Sequence, residues 1–397
     1  MSAPTPPDPG ATPAADRALA PDLARGGMLL LIALANVHVY VHGTPAGLRS
    51  YPRDLSGVDA VVAAAQLMLV DGRAYPLFAL LFGYGIVQLA WRRAEVGLPA
   101  QAVVGLVRRR GWWMLAIGFA HALLLWAGDI VGAYGLIAVL AAGLLVAGSE
   151  RALVRTAATG VLVMAVVLLG AALPPPDATA ALPSIEAESP FTAAVLRIVE
   201  WLGIGLLVST LIVFGAVALG ALAARRRILD EPHRYRRLLV RTAAVGIPVA
   251  ALGGLPLALM VATGRDPGLG PLVAAGSLHG LTGYAGAVGY AALFGLLAIR
   301  VRERPGPVTG ALRACGQRSL SCYLAQSVAF VVLLPAWTLD LGDGLPLWAA
   351  ALVGAGTWLV ILVVAAVTAQ AGYRGPAEVL LRRLTYGPRR TPEPAPP

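Results

Sequence analysis

Seven ionisable side chains interrupt long apolar stretches of this chain, and their chemistry would suit proton transfer. They are His38, His42, Asp71, Arg73, His121, Asp129 and His279. A neutral imidazole takes up or releases a proton near pH 7, and a neighbouring carboxylate orients the ring and raises its pKa. Because ionisable groups are costly inside a bilayer, those that occur there are candidates for function.

His121 is the most isolated of these groups, since only apolar residues surround it in the sequence. Asp129 follows eight residues later. On one straight helix the two would lie about 12 Å and about 80° apart, so they could not touch along it. The carboxylate partner of His121 must then come from elsewhere, and Asp71 or a turn at Asp129 could supply it. His121 could instead hydrogen-bond a neighbouring helix, and Asp71 with Arg73 could be an ion pair that closes a loop.

We predict that imidazoles and carboxylates from separate helices meet in one pocket near the outer leaflet. His121, Asp129 and His38 are the predicted catalytic residues of this pocket. The predicted substrate-binding residues are Asn36, Asp71, Arg73, His279 and Gln326. We predict no metal site, because Cys315 and Cys322 match no metal-binding spacing.

The composition indicates that membrane-spanning helices position these residues. The chain has 397 residues, of which 58% are apolar and 13% are charged, and its mean hydropathy is +0.74. A soluble domain carries about 25% charged residues. Ten stretches are apolar and long enough to cross a bilayer: 26–43, 75–91, 111–127, 130–147, 154–173, 198–223, 243–262, 271–299, 320–337 and 347–370. We therefore predict an all-α membrane bundle of about ten helices. The shorter stretch 58–70 is a re-entrant or interfacial helix, or the first half of a bent span.

The distribution of charge predicts the orientation of this bundle. All 31 basic residues are arginines. With the N-terminus inside, 26 of them fall on the inner side and five on the outer side, namely Arg49, Arg53, Arg73, Arg197 and Arg265. This asymmetry follows the positive-inside rule and places both termini in the cytoplasm.

The same asymmetry predicts the partners. The inner arginines would contact anionic lipid at the inner leaflet of the membrane, and they do not indicate a nucleic-acid partner. The oligomeric state is left open. Residues 1–24 and 389–397 are predicted disordered tails, and 25–388 a single transmembrane domain.

Five strings along the chain resemble one bacterial family. They are DLARGGMLLLIALAN at 22–36, GRAYPLFALLFGYG at 72–85, RRRGWWMLAIGFAHALLLWAGDIVGAYGL at 108–136, CGQRSLSCYLAQS at 315–327 and YRGPAEVLLRRLTYG at 373–387. In order and spacing they resemble the YeiB-like family of multi-pass proteins, whose C-terminal part, about 223–388 here, is a domain of unknown function (418). The most specific parts are the RGPxE…LTYG string, at 374–387, and the pattern in which His121 is followed further along by Gly128, Asp129 and Ile130.

The resemblance implies a set of family-type positions. They are Arg25, Asn36, Phe78, Gly83, His121, Gly128, Asp129, Arg318, Tyr323, Gln326, Arg374, Gly375 and Glu378. The family is similar in architecture to transmembrane acyltransferases, which use an intramembrane histidine eleven residues after an arginine. Here Asn36 stands at that distance from Arg25, and His38 comes two residues later. His121 is therefore the better candidate base.

Three functions remain open from the sequence. An acyltransferase would use acyl-CoA as a co-substrate, with no permanently bound cofactor, and would hold its phosphates with Arg25, Arg318 or Arg374, because the planar guanidinium binds phosphate in a bidentate manner. A small-solute transporter would use the same polar residues as a proton relay. A non-catalytic membrane scaffold is the third possibility.

Overall fold

The computed structural model describes residues 18–171, 179–265, 268–303 and 306–387, and this part of the chain is helical with no β-strand. The predicted all-α class is confirmed. The helices are α1 (Leu19–Val37), α2 (Gly57–Leu69), α3 (Ala74–Glu95), α4 (Ala100–Leu124), α5 (Val131–Ala147), α6 (Glu150–Ala171), α7 (Pro190–Glu200), α8 (Ser209–Arg225), α9 (Arg236–Thr263), α10 (Leu269–Glu303), α11 (Pro307–Gln317), α12 (Ser319–Leu333), α13 (Leu347–Gln370) and α14 (Pro376–Tyr386). A π-helical segment, Trp201–Val208, joins α7 to α8.

Six segments of the described chain are long and apolar enough to cross a membrane, fewer than the ten predicted. They are Leu19–Tyr40, Gly57–Glu95, Pro190–Arg225, Arg236–Thr263, Leu269–Arg302 and Leu347–Gln370. Two further apolar helices, α5 and α12, are shorter. In α4 the three arginines at 108–110 interrupt the apolar sequence. The stretch 58–70 is α2, and it forms one broken candidate span with α3.

The first and last helices lie at the same end of the bundle. Gln317 donates a hydrogen bond to Asp22 of α1 (3.1 Å), and Arg318 donates to the carbonyl of Tyr373, just before α14. Helix α1 begins at Leu19, and Leu23 is fully buried. The predicted tail boundary at residue 24 is therefore wrong, because apolar residues of this turn pack into the core. Residues 1–17 and 389–397 lie outside the described ranges.

Glycines allow α3 and α8 to pack with their backbones in contact. A side chain at Gly83 would overlap the carbonyl of Val217, and one at Gly220 would overlap the carbonyl of Leu80. Small residues at helix crossings let membrane helices approach closely, where van der Waals contact replaces the missing hydrophobic driving force. This crossing holds α3 against α8.

We expect Gly220→Val to destabilise the protein by about 1–3 kcal/mol, because the new side chain meets a backbone carbonyl that cannot move aside. Unfolding by SDS titration of the purified protein measures this loss. Gly356→Val is the matched control, since a side chain there would enter open space. Equal stability of the two variants would contradict this account of the crossing.

Candidate functional site

A turn after α4 brings Asp129 back onto His121. Helix α4 ends at Leu124, where the amides of Leu125 and Trp126 both bond to the carbonyl of His121 (2.8 and 3.0 Å). The chain then reverses, and Asp129 Oδ1 lies 2.9 Å from His121 Nδ1. The sequence offered two carboxylates as partners of His121. The partner is Asp129, which a turn brings back to the histidine, and not Asp71.

Asp129 is held by the first turn of α5 as well as by His121. Its two oxygens accept hydrogen bonds from the amides of Val131 (3.1 Å) and Gly132 (2.6 Å). A carboxylate at a helix N-terminus satisfies amides that have no partner within the helix and complements the helix dipole. Asp129 is fully buried, and these three groups fix the position of its side chain.

This arrangement determines which nitrogen of His121 carries the proton. A carboxylate only accepts hydrogen bonds, so Nδ1 donates to Asp129, and in the neutral imidazole Nε2 then keeps a lone pair. His121 is 3% exposed, and its Nε2 has no hydrogen-bond partner among the residues described. A histidine whose Nδ1 is held by a carboxylate, while its Nε2 is available, has the geometry of a general base.

A basic cavity of about 750 Å³ extends from the end of the bundle formed by α1 and α14 toward this pair. The arginines that line it are Arg25, Arg92, Arg110, Arg318, Arg374 and Arg382. The three predicted phosphate-binding residues, Arg25, Arg318 and Arg374, are thus brought together. Two acidic residues, Asp22 and Glu378, also line it.

The other wall of the cavity is apolar, and two of its residues contact the pair. Phe82 stacks on Tyr134 with ring centroids 4.9 Å apart, and both residues line the cavity together with Val131 and Tyr323. The ring of Tyr323 lies 5.1 Å from that of His121, and Val131 is bonded to Asp129. A ligand in the cavity would therefore be separated from the pair by a single layer of side chains.

A second buried polar group occupies the break between α2 and α3. Asp71 forms a bidentate pair with Arg49, whose Nη2 and Nε lie 2.7 and 2.9 Å from the two carboxylate oxygens. The alternative of an Asp71–Arg73 ion pair is therefore wrong, because the carboxylate pairs with Arg49. Arg73, fully buried, donates instead to the carbonyls of Asp71 (2.5 Å) and Ala250, and its Nη1 lies 2.9 Å from Nδ1 of His279.

Arg49 is a residue that sequence reasoning missed as a partner, because it lies in a loop outside the apolar stretches. Its φ of +57° is in the left-handed region, which disfavours side chains other than glycine. Burial alone lowers the pKa of Arg49, but the Asp71 carboxylate offsets this effect and the pKa stays above its ordinary value. The left-handed backbone at Arg49 thus places its guanidinium against the Asp71 carboxylate. His38 joins this group, since its Nε2 lies 3.3 Å from the Arg49 carbonyl.

The predicted polar residues therefore form separate groups of contacts and not one shared pocket. His121 pairs with Asp129. Arg49 contacts His38 and Asp71, and Arg73 contacts the Asp71 carbonyl and His279. His42 contacts the carbonyl of Leu334 (3.2 Å) and Asp340 (3.4 Å), and Gln326 donates to the carbonyl of Leu29 (3.0 Å). Asn36 is half-buried and makes no side-chain hydrogen bond within the described ranges. The catalytic and substrate-binding roles assigned to these residues stay predictions.

The closing sequence string ties α14 to the start of α12. Glu378 accepts hydrogen bonds from the amides of Leu320 (2.8 Å) and Ser321 (3.2 Å) and from the Ser321 hydroxyl (2.5 Å). Glu378 thus caps the first turn of α12. Gly375 is required beside it, because a side chain at this position would overlap the Glu378 carboxylate. The motif thus builds one wall of the cavity.

The helices and the buried polar groups define a multi-pass membrane protein. Residues 223–388 match the family described as "Protein of unknown function (DUF418)". The predicted family is confirmed by this match, which covers the C-terminal part of the chain where the sequence predicts the domain. No curated protein matches the chain.

We expect Asp71→Asn to destabilise the protein by about 3 kcal/mol, since it leaves Arg49 buried without its counter-charge. The double variant Arg49→Met/Asp71→Leu should lose less than the sum of its two single changes. A double-mutant cycle on SDS unfolding measures the coupling. Additive losses would contradict the pairing. Glu150→Gln is the control: it breaks an exposed pair with Arg226 and should change stability by about 0.5 kcal/mol or less.

Proposed function

We propose that this protein transfers an acyl group from cytoplasmic acyl-CoA to a hydroxyl on an extracytoplasmic or lipid-linked acceptor. The observation that supports this most is the basic cavity, which has arginines at one end and residues in contact with the His121–Asp129 pair at the other. Anion binding and general-base chemistry are thus adjacent in one place.

The proposed topology determines which side of the membrane each end of the cavity faces. We infer ten crossings: the six long segments together with α4, α5, α6 and α12. The termini then lie in the cytoplasm of a bacterial cell, because most arginines fall on their side. In this orientation the arginine end of the cavity faces the cytoplasm, where acyl-CoA is found.

The arginines would bind the phosphates of the donor. Six arginines and two carboxylates line the cavity, so its lining carries a formal net charge of +4. Guanidinium groups bind phosphate through paired N–H donors, and acyl-CoA carries several phosphate charges on its nucleotide part. The apolar wall of Phe82, Tyr134 and Val131 suits the uncharged arm and the acyl chain.

The pair would carry out the proton transfers. The side chains between the cavity and the pair must move aside for this step, because neither His121 nor Asp129 lines the cavity. His121 Nε2 then removes the proton of the acceptor hydroxyl as its oxygen attacks the thioester carbonyl carbon. The carbon–sulfur bond then breaks, and the same nitrogen returns the proton to the sulfur of the departing thiol, so the reaction balances without a net proton. Asp129 stabilises the imidazolium formed between these steps, which is the role of a carboxylate behind a catalytic histidine.

His121→Gln should abolish acyl transfer, and Asp129→Asn should reduce it by about a hundredfold or more, because each removes part of the proton-transfer pair. The measurement is transfer of label from radioactive acetyl-CoA to the lipid and glycan fractions of inverted membrane vesicles. His233→Gln, in an exposed loop, is the matched control. Full transfer by His121→Gln in a folded protein would remove His121 from the mechanism.

Arg374→Gln should weaken acyl-CoA binding by about tenfold, the effect of losing one charge-assisted contact to phosphate. Isothermal titration of the purified protein with acetyl-CoA measures it. Arg383→Gln is the control: Arg383 lies in α14, is exposed and does not line the cavity. Equal binding by the two variants would place the donor elsewhere.

The buried charges at the α2–α3 break favour a second candidate, a small-solute transporter. Broken helices with ionisable groups at membrane depth are typical of transporters. Proteoliposomes without an acyl donor separate the two functions. Solute uptake driven by a pH gradient, and abolished by Asp71→Asn but not by His121→Gln, would support transport over acyl transfer.

A further inference from the structure

A groove of about 310 Å³ lies beside the basic cavity, where α3 ends and α4 begins. It is lined by Arg93, Leu98, Ala102, Gly105, Leu106, Arg109 and Tyr386. The residues at 102, 105, 106 and 109 recur at helical spacing, so α4 presents one face to the groove. That face is apolar or small over its first three positions and ends in an arginine.

The two arginines of the groove come from different helices. Arg93 is in the last turn of α3, and its guanidinium lies over the ring of Tyr386 in α14, 4.8 Å from the centroid. Arg109 is exposed on α4. An exposed apolar side chain, Val96, lies in the loop between the two helices. Positive charge, an aromatic ring and apolar surface therefore meet at one edge of the bundle.

We propose that this groove binds one anionic phospholipid. The headgroup phosphate would lie between Arg93 and Arg109, and an acyl chain would lie along Leu98, Ala102 and Leu106. Basic pockets between helices on the cytoplasmic side of membrane proteins bind anionic headgroups, and each arginine near such a surface adds about a fivefold gain in binding. The complementarity of charge and apolar surface selects a lipid over a free phosphate, which would leave the apolar face without a partner.

The lipid would also support the wall of the neighbouring cavity. Tyr386 lines both the groove and the basic cavity, so a lipid held against its ring packs on the outside of α14. This site is independent of acyl transfer, and it would exist in a transporter as well.

Native mass spectrometry of the purified protein with added phosphatidylglycerol tests the proposal. We expect Arg93→Gln/Arg109→Gln to weaken the tightest lipid-binding event by about 30-fold, equivalent to about 2 kcal/mol. Gly105→Leu should weaken it comparably with both charges kept, because a side chain at Gly105 would enter the open groove. Phosphatidylcholine should bind the native protein more weakly than phosphatidylglycerol.

Two variants control for charge and for bulk away from the groove. Arg226→Gln removes an exposed arginine, and Gly143→Leu adds a side chain to open space on α5; both should bind as the native protein does. Unchanged binding in Arg93→Gln/Arg109→Gln and in Gly105→Leu would overturn the proposal. So would competition by inorganic phosphate at millimolar concentration, or equally tight phosphatidylcholine. If the double variant fails to fold, Gly105→Leu alone decides the outcome.

Discussion

The site depends on one constraint: every charge buried in this apolar bundle must be neutralised by groups that the bundle itself supplies. Asp129 meets the constraint with two amides of α5 and the imidazole of α4. A carboxylate that lost one of these donors would retain a desolvation cost of several kcal/mol. The turn between α4 and α5, the direction of His121 and the start of α5 are therefore set together. Asp71 meets the same constraint with Arg49, which lies in the loop between α1 and α2.

The membrane class and the main helices follow from hydropathy, because apolar length is a local property of the sequence. The arginine distribution likewise predicts which residues gather at one end, and the cavity brings Arg25, Arg318 and Arg374 together as the sequence predicts. The number of spans follows less directly from hydropathy, because α5 and α12 are shorter than the six candidate spans and the arginines at 108–110 interrupt the apolar sequence of α4.

The contacts between polar residues could be predicted only in part. The distance between His121 and Asp129 on a straight helix is a sound calculation, but the helix ends at Leu124, and the turn that follows depends on the backbone bonds to the His121 carbonyl. Arg49 was missed because its loop has no periodicity and its left-handed backbone leaves no sequence signal. Depth in the membrane predicted one pocket, whereas lateral position, which hydropathy does not encode, separates the groups.

The buried guanidinium of Arg73 limits how this bundle can deform. It binds the carbonyl of Ala250 on α9 and contacts His279 on α10, while the hydroxyl of Tyr290 on α10 bonds to the carbonyl of Leu69 at the end of α2 (2.7 Å). Tilting α3 against α9 or α10 would expose these polar groups to hydrocarbon. These helices must then move as one rigid frame, and any widening of the basic cavity falls to the helices on its far side.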